Sequence, residues 1–440
     1  MPRVRIQSHT QGLFTGPAPS SGYHFVDPYG SPTGNVNSYN LLKQINGVQS
    51  VNYDLSIQRT DVSELGRREL VSRPIVNNPV VNLNFEYLTS DIKNEIRLGF
   101  NPNFHTGHSY TKSLYPDNTS VFLFSGFTSR DTFSAYSGVH IGHSGASYSG
   151  WPRADRDRRN FYLTVAPEGL DAKDIPDSHF KDLDVISFGS CYIKSFGTTF
   201  AIGAPIRNNV SYVCDNLNYH LSGSGIVPAM TSSGFIPEDS GNIFVAPKLR
   251  GEISGAATRK FASQIARTSD LTFTIQAIGY GSNPVDIKDV GIDFSNIKTQ
   301  SVDFSVAFNR HEYIGLGYKI PIDRPIKYPI IVDASVSILV GEHQAGTLKS
   351  LLDKDYTYDL TVEAKAPNLS CSGSYATEVV ARYDILKAYL MDVSFTNDLN
   401  TSKMVNLSFS TDVAANVTGR GLFLSGKVFE TGVPFSGYNF

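Results

Sequence analysis

The feature that most constrains this chain is an internal repeat. Residues 49–75 align without a gap onto residues 300–326, an offset of 300 − 49 = 251. Nine of the 27 aligned positions are identical, whereas ordinary residue frequencies give about two. The identical pairs are Gln49/Gln300, Ser50/Ser301, Val51/Val302, Arg59/Arg310, Leu65/Leu316, Gly66/Gly317, Arg73/Arg324, Pro74/Pro325 and Ile75/Ile326, and close pairs include Tyr53/Phe304, Leu55/Val306 and Asp61/Glu312. The repeat indicates a tandem duplication, so we expect one structural unit to occur twice.

A second block repeats in the same order at a different offset. Residues 160–165 align onto 357–362, Tyr192 onto Tyr389, and 209–215 onto 406–412, each shifted by 197. The difference between the offsets, 251 − 197 = 54, means that the first copy carries 54 extra residues between about 89 and 160. This insertion, about 101–160, is rich in Gly, Ser, Asn, Asp and Tyr, which is typical of surface loops.

The fold class predicted from the residue pattern is mainly β. Residues 53–58 and 270–278 alternate polar and apolar side chains, as half-buried strands do. Helical periodicity is confined to two short segments, 89–100, with Thr89 or Ser90 as the N-cap, and 341–355. We therefore expect two tandem β-sandwich or barrel domains, each with one short helix.

The repeat and the loop-like segments together predict the domain organisation. The expected units are an N-terminal extended arm (1–45), a first domain (46–220) that carries the insertion, a linker (221–265) and a second domain (266–440). The arm and the linker are expected to lie against other surfaces.

Composition narrows the functional classes. The 440 residues are 40% hydrophobic, which excludes a disordered chain, and only 18% are charged. The net charge of −3 (38 − 41) offers no basic excess for holding nucleic acid tightly. No secretory signal or 18-residue apolar run is found. The three cysteines are too few for a disulfide framework, so we expect synthesis in a reducing cytosol.

Signatures of an enzyme are weak. The sequence has no Walker A loop, no GxGxxG after a strand, no HExxH and no GxSxG, so we expect no catalytic, cofactor-binding or metal-ligating residue. His105, His108, His140 and His143 form two H-x2-H pairs inside the insertion, and four imidazoles could hold zinc. Solvated loop histidines are the favoured interpretation, because structural zinc sites normally use cysteine and glycines flank both pairs. The run 153–159, RADRDRR, could bind an anion, but its alternating aspartates favour a hydrated face or an inter-subunit ion-pair cluster.

The Arg-Pro elements are present in both copies. Arg73-Pro74 and Arg324-Pro325 could bind an anion, but a structural role is favoured. Proline forces the preceding residue into an extended conformation, and the arginine would pair with a nearby carboxylate. Gly66 and Gly317 are predicted turn positions with positive φ.

The order of these elements resembles a known family. Residues 192–216 and 389–413 look like the closing strand pair, with its alternating N-[VL]-S-[YF] segment, of the tail-tube domain of long-tailed bacteriophages. Residues 161–172 are similar to strands of phage virion proteins. The resemblance covers about 49–215 and 300–412 and depends on pattern and element order.

The resemblance implies a virion structural protein rather than an enzyme. Six such domains form a ring with a continuous inner barrel, so a two-domain chain would form trimeric, pseudo-hexameric rings that stack into the tube through which DNA is ejected. The implied partners are further copies of the chain, other tail proteins such as the terminator, the baseplate and a sheath, and DNA in transit, with no membrane or cofactor. The implied location is the virion tail, assembled in the host cytoplasm. The lumen is expected to be neutral to acidic, with the insertion outside the tube and the arm and linker bridging rings. Alternatives are a distal tail or baseplate hub ring and, in another class, a glycan-binding or glycan-cleaving phage protein.

Overall fold

A computed structural model gives the fold of the chain. The structure describes residues 11–17, 43–75, 79–89, 94–95, 98, 103–104, 159–167, 169–170, 184–220, 226–228, 230–231, 234–235, 243–245, 270–278, 284–285, 298–316, 321–322, 324–339, 356–365, 379–396, 404–413 and 421–426. Within these residues the chain is mainly β, as the sequence predicts.

The described strands form two sets, one before residue 260 and one after it. Those of the first half are β1 (Gln11–Pro17), β2 (Lys43–Gln44), β3 (Val48–Ser56), β4 (Val80–Leu88), β5 (Asn103–Phe104), β6 (Arg159–Val165), β7 (Asp184–Ala201), β8 (Arg207–His220), β9 (Ile226–Pro228), β10 (Met230–Thr231), β11 (Gly234–Phe235) and β12 (Ile243–Val245). Those of the second half are β13 (Leu271–Ile278), β14 (Pro284–Val285), β15 (Lys298–Ala307), β16 (Ile331–Leu339), β17 (Thr357–Lys365), β18 (Val379–Thr396), β19 (Met404–Asp412) and β20 (Gly421–Gly426).

One large, almost entirely antiparallel sheet joins both halves. Eight of its strands form a continuous row, in the order β3-β4-β8-β7-β15-β16-β19-β18, which we call the central sheet. The early part of β7 also pairs with β6, which carries β1, and the early part of β18 pairs with β17 and β20. The two long strands, each of 18 residues, therefore connect the central sheet to outer strands.

The same strand order and register occur twice in the central sheet. Val51 lies opposite Phe85 in β3–β4, and Val302 lies opposite Val336 in β15–β16, both shifted by 251. The β7–β8 ladder likewise repeats in β18–β19 at an offset of 197, including a bulge after Ile193 and after Leu390.

The switch from outer to central pairing is also repeated. Ser190 in β7 and Lys387 in β18 both have positive φ, 51° and 53°. The Ser190 amide donates to Asn160 Oδ1 at 2.9 Å, and the Lys387 amide donates to Asp359 Oδ1 at 2.8 Å. Both residues lie at bulges, one in the β6–β7 ladder and one in the β17–β18 ladder. In each bulge a side-chain oxygen accepts the hydrogen bond of a backbone N–H that the ladder leaves unpaired.

These contacts correct one alignment made from sequence. Phe161 lies opposite Phe188, and Leu360 lies opposite Ile385, so β6 corresponds to β17 at an offset of 360 − 161 = 199 rather than 197. A slip of two residues keeps every side chain on the same face of the strand, so the alternating pattern could not reveal it.

Other expectations fall partly within the described residues. In the predicted helix 89–100, Asn94 and Glu95 are helical and the Leu98 amide donates to the Asn94 carbonyl oxygen at 2.8 Å. The second predicted helix, 341–355, lies entirely outside the described residues. Part of the expected arm, Gln11–Pro17, pairs along its full length with β6 of the same chain.

The structure also adds a cross-link that the cysteine count did not suggest. Cys191 and Cys214, which lie opposite each other on β7 and β8, form a disulfide.

Among the described residues, a continuous hydrophobic core underlies the central sheet. It runs from Leu83 and Phe85 in the first half, through Phe196 and Phe304 near the middle, to Leu407 in the second half. Across the described residues, no helix is long and apolar enough to cross a membrane.

Candidate assembly edges and open face

The middle of the central sheet is a joint between the two halves. Ser301 to Ala307 of β15 pair with Ala201 to Ser195 of β7. Phe304 and Val306 on β15, and Phe308 directly after it, are 3%, 0% and 1% exposed. The Phe304 ring lies 6.4 Å from that of Phe196 and 6.0 Å from that of Phe200. The joint is therefore a strand ladder reinforced by buried aromatic contacts.

One outer edge of the central sheet is β3, the counterpart of β15. Among the described strands, β3 pairs only with β4. Tyr53, Leu55 and Ile57 occupy the positions of Phe304, Val306 and Phe308, but they are 37%, 50% and 45% exposed. The same apolar pattern that is buried at the joint is thus open at this edge.

The other outer edge is the end of β18, the counterpart of the end of β7. Residues 389–396 form a ladder with β19 on one side, and the described strands place no strand on the other side. Phe395 is 49% exposed and Met391 is 68% exposed. The central sheet therefore presents apolar side chains at both ends.

The face of the central sheet that points away from the core is covered mainly by small polar side chains. We call it the open face; it comprises Ser50, Asn52, Asp54 and Ser56 (β3), Asn82, Asn84 and Glu86 (β4), Arg207, Asn209, Ser211 and Val213 (β8), Ser195, Gly197, Thr199 and Ala201 (β7), Ser301, Asp303, Ser305 and Ala307 (β15), Ile331, Asp333, Ser335 and Ser337 (β16), Met404, Asn406, Ser408, Ser410 and Asp412 (β19), and Asp392 and Ser394 (β18). These residues alternate with buried apolar residues along the strands, as in the β4 and β19 burial patterns.

The open face is acidic on balance. Its six carboxylates are those of Asp54, Glu86, Asp303, Asp333, Asp392 and Asp412, and the basic residues on it or at its margins are Lys194, Arg207 and Lys298, which gives 3 − 6 = −3. Arg207 is bound to Glu86, with Nη1 2.7 Å from Oε1. Asp54 accepts from Asn82 at 3.0 Å and Asp333 accepts from Ser410 at 2.8 Å. This face offers few cationic groups to an anionic ligand.

The hairpin between β15 and β16, in the second half of the chain, packs against the first half beside the joint. The Arg310 Nε donates to the Ile193 carbonyl oxygen at 3.0 Å, and its guanidinium lies 5.1 Å from the centre of the Tyr192 ring. Arg324 lies over the same ring at 5.8 Å and pairs with Asp215, Nη2 to Oδ1 being 3.1 Å. Both members of that pair are buried, with side-chain exposures of 3% and 1%.

One part of the structural interpretation of the Arg-Pro elements is confirmed: each arginine pairs with a carboxylate. Arg324 pairs with Asp215 and, at 3.4 Å, with Glu312, while Arg73 pairs with Asp61 at 2.8 Å.

A buried polar cluster supports the first half behind the open face. Tyr87 donates to Glu95 Oε1 at 2.8 Å, and Asn208 donates to the same oxygen at 2.8 Å. Burial, and secondarily the Glu95 carboxylate, raise the pKa of Tyr87 and of Tyr383 well above 10.0. Both phenols therefore stay protonated at neutral pH, and Tyr383 of the second half sits against this cluster of the first half.

Several sequence candidates lie outside the described residues. His105, His108, His140, His143, most of the run 153–159, and Gly317 are among them. Gly66 has φ of 93°, which confirms the predicted turn conformation at that position. Within the described part of the chain, no group of three His, Cys, Asp or Glu residues is placed to hold a metal ion.

Sequence reasoning missed the edges as interaction surfaces. The repeat placed Tyr53 and Leu55 beside Phe304 and Val306, but the alignment could not tell that one set is covered within the chain and the other is not. The acceptors Tyr192 and Asp215 were also missed, although Tyr192 was matched to Tyr389.

The chain matches no protein-family model, and no curated protein is significantly similar to it.

Proposed function

We propose that this chain is a structural protein of a phage tail, two tandem tail-tube domains that assemble edge to edge into rings and stack into a conduit for DNA. The observation that carries the proposal is the joint between β7 and β15. It joins two equivalent four-strand units, and the same two edges, β3 and β18, are left at the ends of the row. Repeating the joint between copies extends the sheet without any new type of contact.

The register of the contact between copies follows from the joint. Applying the offsets of 251 and 197 to Ser305 opposite Gly197 places Asp54 of one copy opposite Ser394 of the next. In the same way, Leu55 faces Val393 and Tyr53 faces Phe395. The exposed apolar side chains of both edges then meet as Val306 and Phe196 do at the joint.

Closure of three copies gives a barrel wide enough for a duplex. Three copies of the eight-strand row supply 24 strands (3 × 8). At about 4.8 Å between strands and a tilt near 40°, the circumference is about 150 Å and the backbone diameter about 48 Å. Closure also removes the two strand edges, which a free β protein must otherwise protect against aggregation.

The open face suits the lumen of such a barrel. The core-facing side of the central sheet is already covered within the chain, so the open face is the one left to line the channel. Lysine and arginine hold DNA through its phosphates, with affinity that rises with the number of contacts. A face of Ser, Asn and Asp with Arg207 bound to Glu86 offers little of that attraction. DNA would therefore pass without being retained.

The test of the proposal is the assembly state of the purified full-length chain. Mass photometry is expected to show a species of three chains, and negative-stain electron microscopy is expected to show hollow rings and stacked tubes. Single rings that never stack would favour a distal tail or hub ring instead. A compact monomer at every concentration would overturn the proposal.

A cysteine cross-link tests the register directly. A Cβ at Gly197 would lie 3.7 Å from the Ser305 Cβ, within the range of a disulfide. The equivalent pair between copies is Asp54 and Ser394, so the double variant Asp54→Cys/Ser394→Cys, in a Cys371→Ser background, is expected to form covalent trimers on oxidation. The matched control, Asp54→Cys/Phe395→Cys, places the thiols on opposite faces of the sheet and is expected to stay uncross-linked.

A further inference from the structure

The hairpin between β3 and β4 repeats the arginine arrangement that fastens the second half of the chain onto the first. Arg310 and Arg324, from the hairpin between β15 and β16, grip Tyr192, Asp215 and the Ile193 carbonyl of the first half. We propose that Arg59 and Arg73 of one copy bind Tyr389, Asp412 and the Leu390 carbonyl of a neighbouring copy. We call this contact between copies the arginine clasp. This inference rests on the proposed ring assembly and names side chains that would lock it.

The donor side is already in the required shape. Arg59 Nη1 donates to the Arg73 carbonyl oxygen at 2.9 Å, as Arg310 Nη1 does to the Arg324 carbonyl oxygen at 2.8 Å. The bridges Arg59 to Ile75 and Arg310 to Ile326 are equivalent as well. The backbone of the first hairpin is thus preorganised, and little ordering is needed for it to bind.

The difference between the two hairpins is what covers them. The Arg324 side chain is 3% exposed and the Arg73 side chain is 62% exposed, although both arginines pair with a carboxylate of their own hairpin, Glu312 or Asp61. The second hairpin lies on β7 and β8, whereas the first is exposed along its length from residue 57 to 75. A second copy supplies the missing surface.

The acceptor side is repeated at the far end of the chain. Tyr192 lies opposite Val213 and Tyr389 lies opposite Ser410, at the same step of the ladder. Asp215 and Asp412 each follow two residues after those partners. The ladder bulge that lets Ile193 present its carbonyl to Arg310 recurs at Leu390. All three elements that hold the internal hairpin are therefore present at the β18 edge.

The chemistry of the clasp adds specificity to the strand pairing. Two guanidiniums on one phenol ring gain cation–π attraction, and a desolvated Arg–Asp pair is held by charge-assisted hydrogen bonds. A register slip between copies would leave both charges buried without partners, which is costly. The clasp would thus favour the correct register over its neighbours.

A charge exchange tests the clasp in the full-length chain. Arg73→Glu places like charges at the contact and is expected to lower the association constant per interface by roughly 30-fold or more, measured by mass photometry. The double variant Arg73→Glu/Asp412→Arg restores opposite charges at every interface and is expected to recover most of the assembly. Arg67→Glu, the matched control, makes the same charge change elsewhere on the hairpin and is expected to assemble as the unmodified chain does. Thermal unfolding below the assembly concentration checks that each variant is folded.

The outcomes separate the clasp from the ring. Rings from the unmodified chain together with unimpaired assembly of Arg73→Glu would overturn the clasp and leave the proposed function standing. An unmodified chain that stays monomeric would overturn both. Should Asp412→Arg fail to fold, Asp412→Asn replaces it: assembly weakened by this variant and not weakened further by adding Arg73→Glu supports the clasp, whereas fully additive losses contradict it.

Discussion

Leu55 offers a quantitative test of the edge contact, because its counterpart shows how buried it would become. Leu55 is 50% exposed in the single chain and Val306, at the equivalent position of the joint, is 0% exposed. Full burial of a leucine side chain is worth about 1.5–3 kcal/mol, so covering the remaining half contributes about 1 kcal/mol per interface. Leu55→Ala removes most of this term.

The free-energy losses at the separate interfaces add up when the ring closes. A ring of three copies has three such interfaces, so Leu55→Ala costs assembly about 3 kcal/mol in total, and ring formation is expected to be roughly 100-fold weaker. A mass-photometry titration over chain concentration measures the loss. Asn52→Ala, on the open face of the same strand, is expected to leave the midpoint concentration almost unchanged.

The equivalent substitution at the joint, Val306→Ala, provides the comparison. Val306→Ala removes the same kind of contact inside the chain, so it is expected to lower the free energy of unfolding by about 2 kcal/mol without a specific loss of assembly. Assembly of Leu55→Ala at the midpoint of the unmodified chain would show that β3 is not an assembly edge. A Val306→Ala variant of unchanged stability would show that the joint is not the template.

Three further predictions follow from charged groups. Burial, opposed by the Lys387 amide, raises the pKa of Asp359 from 3.8 to about 6. The folded chain therefore binds more protons than the unfolded chain between these pH values, and stability falls as pH rises through that window. Asp359→Asn is expected to flatten this dependence in chemical denaturation between pH 4 and 7 and to stabilise the chain by about 1 kcal/mol at neutral pH, because Asn160 already fills the equivalent position; an unchanged slope would count against the assignment. Arg324→Ala leaves a buried carboxylate without its partner and is expected to cost about 3–5 kcal/mol in unfolding experiments, whereas Arg73→Ala, at an exposed pair, is expected to change monomer stability by less than about 0.5 kcal/mol; equal effects would contradict the burial difference. Asp303→Lys adds a cation to the open face and is expected to give assembled tubes a salt-sensitive affinity for duplex DNA that the unmodified tubes lack; no gain in binding would argue that this face does not line the lumen.

The repeat allowed much of the fold to be predicted from sequence. The strands β3 and β15 lie almost entirely within the gapless alignment, so their correspondence at an offset of 251 could be predicted. The strands that follow them, β4 and β16, keep the same offset. The two-residue error at β6 arose where few side chains are shared and parity alone could be read. Pairing of Gln11–Pro17 with β6 could not be predicted, since 150 positions (163 − 13) separate Leu13 from its partner Leu163.

The candidate site was harder to predict than the fold. Alternation identifies Tyr53 and Leu55 as apolar-face residues, and in an isolated domain such residues would be assigned to the core. Their exposure depends on which strand lies alongside, and that strand is supplied by the chain itself for β15 and by none of the described strands for β3. The alternating pattern indicates which face of a strand is apolar, but it does not indicate which neighbouring strand covers that face.

Because both halves belong to one polypeptide, such a ring would also be built differently from a ring of separate domains. In a ring of three chains, three of the six contacts between four-strand units exist before any two molecules meet. Ring formation would then rise with about the third power of protein concentration, where six separate domains would require the sixth power. The linked halves are also free to diverge: the insertion occurs in one of them alone, so a finished ring would carry three insertions on its surface and leave alternate positions clear for other proteins.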